Sequence, residues 1–260
     1  MTRRGERAAA VGLVAAAAGF IGLPIVAVFL RVAPSSLLDG LRSPVAQDAL
    51  LLSLKTTLVS LVIIVVVGTP VAYVLTFARV RGKDALTTLL ELPLVMPPAV
   101  AGIALLSAFG ARGTLGGPLG LEIPFTTTAV VVAQIFVASP FYLRQAQSAF
   151  AALHAATLDA ARASGASATR TMLRIAVPLA AGGLVSGAVL AWARAVGEFG
   201  ATLIFAGSFR GVTETAPLAI YGELDSDINA ALALSAVLVL ISFVVLAGVK
   251  MATRRWIEHS

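Results

Sequence analysis

The 260-residue chain is 58% apolar, only 12% of its residues are charged, and it contains no cysteine. An ordinary soluble domain carries about twice that share of charged residues, so the composition excludes a disordered segment and a typical soluble enzyme. A chain without cysteine cannot form a disulfide scaffold or a thiolate metal site. Because water cannot solvate so much apolar surface, we predict an all-α protein that crosses the membrane several times.

Six apolar runs approach the 20 or so residues that an α-helix needs to cross the hydrocarbon core. We predict membrane spans within one transmembrane domain, 1–260, over residues 8–30, 56–77, 86–109, 126–143, 179–205 and 229–249. The first run is longer than the apolar part of a signal peptide, and no small-residue cleavage site follows it before Arg31. We therefore expect the first run to be a retained anchor.

Lysine and arginine are distributed unevenly between the two sides of the predicted membrane. With the N-terminus in the cytoplasm, most of them fall in cytoplasmic segments, whereas the acidic residues of the connecting segments lean to the outside. The positive-inside rule therefore predicts that both the N-terminus and the C-terminus lie in the cytoplasm (N-in/C-in). This asymmetry accounts for the net charge of +6 without a nucleic-acid partner.

One cytoplasmic connecting segment, residues 144–178, is much longer than most of the others. It is rich in alanine, which favours helix, and Gly165 is its only glycine. We predict two short helices, broken near Gly165, on the cytoplasmic surface. From composition alone, the segment either rests on lipid as an amphipathic helix or docks a cytoplasmic partner.

The spacing within this segment resembles the EAA loop of permease subunits of ABC importers. The matching positions are Asp159, Ala160, Ala161, Gly165, Ile175 and Pro178. Asp159 stands for the family's glutamate and Val177 for a leucine, so charge and apolar character are kept. The resemblance implies that this loop is a coupling helix, which seats in a separate cytoplasmic ATPase subunit.

The chain has no phosphate-binding loop of its own. At the single Gly-Lys pair, Gly82-Lys83, Phe77 stands where the first glycine of that motif is required. We therefore expect no catalytic residue, metal or cofactor in this chain, with ATP and Mg on the partner ATPase. The resemblance also implies an extracytoplasmic solute-binding protein, a permease homodimer, and a place in the lipid bilayer of a bacterial or archaeal cell membrane.

Two charged residues, Arg194 and Glu198, lie within the fifth predicted span. Charged groups in a membrane usually face a bundle interior or a wet cavity, and residues four apart on a helix can pair. The two residues form either a local ion pair or part of a gate or intersubunit contact. Because a straight helix over 179–205 would be about 40 Å long, we expect a break near Gly197 and Gly200 or a steep tilt.

Two further segments carry a resemblance to oxyanion permeases. The stretch from Gly197 to Thr202 is similar to the molybdate/tungstate and sulfate group, and so is the stretch 91–98. Residues 215–221 look most like the molybdate/tungstate members. The proline pair in 91–98 must kink a helix, either as a simple bend or as the lining of a pathway. Our candidates for the translocation pathway or gate are Pro97, Pro98, Arg194, Glu198, Phe199 and Gly200.

These patterns predict an ATP-driven importer of an oxyanion, molybdate or tungstate, that works by alternating access. Sulfate or thiosulfate is the alternative cargo. A transporter of another class would be self-contained and ion-coupled, with Glu91, Arg194 and Glu198 as the ion relay. Such folds often contain inverted repeats, which are not evident in this sequence. A membrane enzyme is disfavoured because no catalytic motif is present.

Overall fold

The computed structural model describes residues 3–32, 40–78 and 81–257. Within these ranges the chain forms helices joined by turns. We number the helices α1 (Arg3–Arg31), α2 (Pro44–Phe77), α3 (Lys83–Val95), α4 (Pro98–Phe109), α5 (Gly116–Leu119), α6 (Thr127–Ala151), α7 (Ala155–Ala163), α8 (Ala168–Thr171), α9 (Val177–Val196), α10 (Gly200–Ala206), α11 (Ala216–Glu223) and α12 (Ile228–Ile257). A π-helical turn, Met172–Ala176, joins α8 to α9.

Among the described residues, five helices are long and apolar enough to cross a membrane. A sixth span is obtained if the bent pair α3 and α4 is counted as one. The first and last predicted spans, 8–30 and 229–249, correspond to the apolar helical stretches Ala10–Arg31 and Ile228–Gly248. The predicted all-α membrane architecture is therefore confirmed.

The span predicted over 86–109 is sharply bent at the proline pair, where the sequence predicts a kink. This stretch contains two helices, Lys83–Val95 and Pro98–Phe109, whose axes are bent by 120°. Prolines at positions 97 and 98 lack the backbone N–H that would continue the helical hydrogen bonds. Helix α4 has 12 residues and is about 18 Å long, so it does not cross a 30 Å hydrocarbon core by itself.

Three other predicted spans have boundaries that differ from the observed helices. The span predicted at 56–77 begins earlier, at Pro44, and the one predicted at 126–143 continues to Ala151. The span predicted at 179–205 is interrupted after Val196, and its helical axis extends back to Ala168. Apolar runs report the lipid-facing length of a helix, and these helices extend beyond it into polar sequence. The segment that connects the last two of these helices is consequently shorter than the predicted 144–178.

Helices α2, α6 and α9 form the centre of the molecule, and their buried side chains meet in one cluster. Helix α9 approaches α6 closely because two glycines face it. A Cβ at Gly183 would collide with the Cβ of Ala149, and a Cβ at Gly187 would lie 3.1 Å from that of Gln145. Lipid is as apolar as a helix surface, so close packing of this kind is what holds membrane helices together.

Buried hydrogen bonds also link α2 to α6. Gln134 of α6 accepts a hydrogen bond from the Ser60 hydroxyl at 2.9 Å and donates one to Thr56 at 3.2 Å. Further along the same pair of helices, the hydroxyls of Thr69 and Tyr142 are 2.6 Å apart. These bonds give the side-chain amide of Gln134 and the hydroxyl of Tyr142 partners in an apolar environment.

Candidate functional site

Two interrupted helices define the first candidate site. Helix α3 ends at Val95 and α4 begins at Pro98, while α9 ends at Val196 and α10 begins at Gly200. The break expected near Gly197 and Gly200 is therefore present. Sequence position alone gives no reason for the two interruptions, about 100 residues apart, to lie near each other.

Gly200 brings the two interruptions into contact. A Cβ on Gly200 would lie 2.6 Å from the Cβ of Pro98, so the two helix starts touch through a position that only glycine fills without a shift. Further along, Gly102 of α4 faces Ile204 of α10 with an equally close approach, 2.7 Å to a built Cβ. Helices α4 and α10 thus pack as a pair, and both contribute to a second buried cluster with α6.

Glu198 connects the two helices on either side of the second interruption. Its side chain is 1% exposed, and its Oε1 accepts a 2.8 Å hydrogen bond from the backbone N–H of Ala201 in the first turn of α10. Its Oε2 lies 2.6 Å from Nη2 of Arg194, which is 27% exposed and in the last turn of α9. A cation near a helix C-terminus and an anion near an N-terminus are each favoured by the helix dipole.

The predicted pairing of Arg194 with Glu198 is therefore confirmed, and the gating role stays a prediction. Between Glu198 and α10, the half-buried Phe199 packs its ring against Tyr221 of α11, with 5.1 Å between ring centroids. Pro97 and Pro98 are exposed on the surface of the chain. All six pathway candidates thus belong to the two interruptions or to the turn directly before one of them.

Glu91 takes no part in this arrangement. Its carboxylate forms an ion pair with Arg144 of α6 at 3.3 Å, which joins α3 to α6. The three residues of the ion-relay hypothesis are thus divided between two separate ion pairs. This division gives the self-contained transporter no support.

The second candidate site is α7, which carries Asp159, Ala160 and Ala161. Among the side chains of α7 that the structure describes, Leu158 alone is buried, at 2% exposed, and it packs into the central cluster. Asp159 and Ala160 are exposed and Ala161 is half-buried. One apolar anchor therefore holds α7 to the membrane helices, and most of its described surface is open to a partner.

Gly165 ends α7 in the way that the sequence predicts. Its φ is +82°, in the left-handed region where glycine is unstrained. The N–H of Ala166 donates to the carbonyl of Ala161 at 3.1 Å, which is the long hydrogen bond of a Schellman motif. Two short helices, α7 and α8, therefore flank the predicted break.

Ile175 and Pro178 lie where α8 continues into α9. Ile175 is half-buried against the central cluster, and Pro178 is exposed in the first turn of α9. Pro178 has no N–H to donate back along the helix. The π-turn directly before it ends with a hydrogen bond from the N–H of Val177 to the carbonyl of Met172, which lets the helix axis run on unbroken from α8. A movement of α8 is thus connected by continuous helix to the interruption after Val196.

Sequence reasoning missed the polar contacts between α2 and α6. A glutamine inside the fourth apolar run, at position 134, was the available signal, because an amide at that depth needs partners. In the part of the chain that the structure describes, no group of three or more His, Asp or Glu side chains is placed to hold a metal ion.

Comparisons with known proteins agree with this architecture. Residues 64–258 match the family described as binding-protein-dependent transport system inner membrane component. The molybdenum transport system permease protein ModB of Mycobacterium tuberculosis is 45% identical over 233 residues, which cover 88% of this chain and 88% of that protein. A second relative is the probable sulfate transport system permease protein cysT of Chlorokybus atmophyticus. It is 31% identical over 234 residues, which cover 87% of this chain and 82% of that protein.

A solved structure shares the fold. It is a bacterial alginate ABC transporter in complex with a periplasmic protein bound to an alginate pentasaccharide, with a TM-score of 0.72 and 15% identity. The match covers 97% of this chain and 96% of that one, and at this identity it shows the fold alone. The chain belongs to the family of inner membrane components of binding-protein-dependent transport systems, and it is a multi-pass membrane protein. The predicted resemblance to permeases of the molybdate type is confirmed by the ModB relative.

Proposed function

We propose that this chain is the membrane subunit of an ABC importer that carries molybdate or tungstate into a bacterial or archaeal cell. The observation that carries the proposal is its 45% identity to the molybdenum permease ModB over 88% of both chains. A solute-binding protein delivers the oxyanion at the outer face. The chain then exposes its pathway alternately to the two sides, driven by a separate ATPase that holds ATP and Mg.

The proposal places both termini and α7 in the cytoplasm. The distribution of lysine and arginine supports this orientation, since cytoplasmic segments of membrane proteins carry the excess of positive charge. In that orientation α7 is a coupling helix, and Asp159, Ala160 and Ala161 face the ATPase. The exposed surface of α7 and its single buried anchor, Leu158, support docking over an amphipathic helix whose apolar face lies on lipid.

The paired interruptions are the proposed pathway. Irregular backbone at membrane depth is tolerated only where it is buried in protein or lines a water-filled cavity. Pro97, Pro98 and Gly197 are exposed on the isolated chain, so this face needs either water or a second chain beside it. If two copies of the permease place these faces opposite each other, each face has a second chain beside it and the two enclose a water-filled pathway. This arrangement supports a homodimer with the pathway between the subunits.

Sulfate or thiosulfate is the second candidate cargo. The 31% identity to a sulfate permease over most of both chains favours it over other anions. Molybdate, tungstate and sulfate are all tetrahedral dianions, so fold and charge are compatible with each. The higher identity to ModB supports molybdate over sulfate as the cargo.

Transport by a reconstituted complex tests the proposal. The permease, its ATPase and its solute-binding protein are assembled in proteoliposomes, and ATP-dependent uptake of molybdate is measured with sulfate and tungstate as competitors. We expect molybdate uptake that tungstate suppresses and sulfate does not. Uptake of sulfate in preference to molybdate would establish sulfate as the cargo. Molybdate uptake without an ATPase would contradict the assignment to ABC importers.

Docking through α7 is tested with Ala160→Arg. Because Ala160 is exposed, the arginine does not disturb the folded permease, but its bulk prevents close approach to an ATPase groove. We expect the ATPase to be lost on co-purification. The control is Ser226→Arg, at an exposed position in the turn after α11 and on the opposite side of the membrane in the proposed orientation. Retention of the ATPase by Ala160→Arg would remove the coupling assignment.

A further inference from the structure

Two exposed phenylalanine rings stand together at the end of α6 that the charge distribution places outside. Phe125 is 54% and Phe209 52% exposed, with ring centroids 6.3 Å apart and planes at 79°. Val212 beside them is exposed as well. Apolar surface left in water is unfavourable by about 25 cal/mol for each Å², so this patch is stabilised when a partner covers it.

Backbone geometry, and not the environment of the rings, holds the pair in place. Phe125 has a φ of +63°, a left-handed conformation that bulky side chains rarely adopt. Its N–H donates to the carbonyl of Phe205 at 3.3 Å. Gly207, with φ of +71°, lies beneath both rings, because a Cβ there would be 2.8 Å from the Phe209 ring and 3.4 Å from that of Phe125.

The loop that carries Phe209 is tied down at several points. The Phe209 carbonyl accepts hydrogen bonds from the N–H groups of Val212 and Thr213. The Thr213 hydroxyl accepts from the N–H of Phe209 at 2.9 Å and donates to the carbonyl of Gly207 at 3.3 Å. Thr127, at the start of α6, donates to the carbonyl of Val212 at 2.8 Å. The rings are therefore preorganised, and a partner that binds them loses little conformational entropy in doing so.

Charged side chains lie in the same loop as Phe209, which favours a position outside the hydrocarbon core. Arg210 pairs with Asp48 of α2 at 3.0 Å, and Glu214 accepts a hydrogen bond from Ser208. A turn with exposed charges and irregular backbone lies in water, beyond the hydrocarbon core. Phenylalanine also lacks the polar group with which tryptophan and tyrosine anchor a protein at the lipid interface. An apolar centre within a charged rim is the anatomy of a protein interface.

We propose that the Phe125–Phe209 pair is a docking anchor for the solute-binding protein, an inference that rests on the proposed function and orientation. The family is defined by dependence on such a protein, which must reach the outer end of the pathway. The loop from Gly207 follows α10 directly, and Phe125 hydrogen-bonds to α10. Binding at the rings therefore acts on the short helix that packs against the helix interruption at Pro98.

Affinity measurements test the anchor. Permease and ATPase are assembled in nanodiscs of zwitterionic lipid, and the dissociation constant of the molybdate-loaded solute-binding protein is measured. Phe209→Ala and Phe125→Gly each remove one ring, and glycine also relieves the positive φ, so the second variant keeps its fold. We expect each to weaken binding about tenfold or more, as truncation of an interface anchor does. The control, Phe243→Ala, removes an exposed ring from α12 within the apolar stretch and leaves the affinity unchanged.

The outcomes separate the anchor from the proposed function. If the native chain binds the protein and both ring variants bind it within twofold of the native affinity, the anchor is overturned and the proposed function stands. If the native chain does not bind the solute-binding protein at all, the proposed function is contradicted, and the anchor with it. A melting temperature close to that of the native chain shows that a variant is folded.

Cysteine labelling gives an independent measurement, because the native chain contains no cysteine. Ser208→Cys places a thiol at an exposed position next to Phe209, and Ala85→Cys places one at an exposed position of α3, on the proposed cytoplasmic side and outside α7. We expect the solute-binding protein to protect Cys at 208 from a maleimide and to leave Cys at 85 reactive. A thiol at 208 that stays reactive in the complex would overturn the anchor. A thiol at 208 that is blocked in the permease alone would instead assign the patch to a second permease copy.

Discussion

Gly200 at the start of α10 lies directly against Pro98 at the start of α4, so that a Cβ on Gly200 would come within 2.6 Å of the Cβ of Pro98. The contact joins two helix interruptions that are distant in sequence. It is one of two close approaches between the same helices, since Gly102 meets Ile204 in the same way. The two short helices are therefore built to move together, with irregular backbone at the start of each.

Gly200→Ala is expected to separate this pair. The added methyl group has no room, and overpacking of this kind costs about 1–3 kcal/mol. Thermal unfolding in detergent should move to a lower temperature, and ATP-driven molybdate uptake should fall because the interruptions no longer meet. Gly222→Ala is the matched control, since a Cβ at that exposed helical glycine meets nothing within 4 Å. Equal behaviour of the two variants would mean that the contact has no role.

Gly165→Ala is expected to weaken the end of α7, the proposed coupling helix, without any collision. A Cβ at Gly165 meets nothing within 4 Å, yet the φ of +82° costs a non-glycine residue about 1–2 kcal/mol. ATPase co-purification should decrease, because α7 no longer ends in its Schellman turn. Asparagine tolerates the left-handed region, so Gly165→Asn should retain more of the ATPase than Gly165→Ala. The reverse order would contradict a conformational cause.

Glu198→Gln is expected to lower the melting temperature of the permease. The amide oxygen still accepts from the N–H of Ala201, but the charge of Arg194 loses its partner, and loss of one member of an ion pair that is half-buried on the arginine side is destabilising. The double variant Arg194→Met, Glu198→Gln removes both charges and should recover part of the loss. If the double variant does not recover any of the lost melting temperature, the two residues act independently.

The same variant tests the nature of the site. A carboxylate repels an oxyanion and already bonds to protein groups, so Glu198 is expected to position the helices and not to bind cargo. The uptake ratio of molybdate to sulfate should therefore stay at the native value in Glu198→Gln, even where the rate falls. A changed ratio with an unchanged rate would assign Glu198 to anion recognition instead.

Gln134→Leu is expected to be mild, and Gln134→Ala clearly worse. The Thr56 hydroxyl also donates to the carbonyl of Leu52 at 2.9 Å, so it stays satisfied without Gln134. Hydrogen bonds between membrane helices contribute about 0.6 kcal/mol on average. Alanine additionally leaves a cavity between α2 and α6. The melting temperatures of the two variants separate the contribution of the hydrogen bonds from that of packing. An equal decrease in both variants would show that the hydrogen bonds outweigh packing.

Several features of this molecule could be predicted from its sequence because they depend on residues close together in the chain. Apolar runs indicate which segments are helices in lipid, since each run must satisfy its own backbone hydrogen bonds. Gly165 and the Arg194–Glu198 pair depend on residues within one or two helical turns. The sequence predicts the helix break at Gly165, and the ion pair is one of the two alternatives that it leaves open for Arg194 and Glu198. The short helix α7, with the exposed Ala160, follows from the same kind of short-range pattern. The family resemblance follows from the fixed spacing of the matching residues.

Tertiary structure decided the rest because the remaining features depend on residues far apart in the chain. The contact of Gly200 with Pro98 and the pairing of Glu91 with Arg144 are examples. The structure also shows that Ala160, and not the half-buried Ala161, is the position at which a bulky residue tests docking alone. Hydropathy reports how much of a chain lipid can solvate, whereas packing between distant helices selects where each helix bends and which face stays open for a partner.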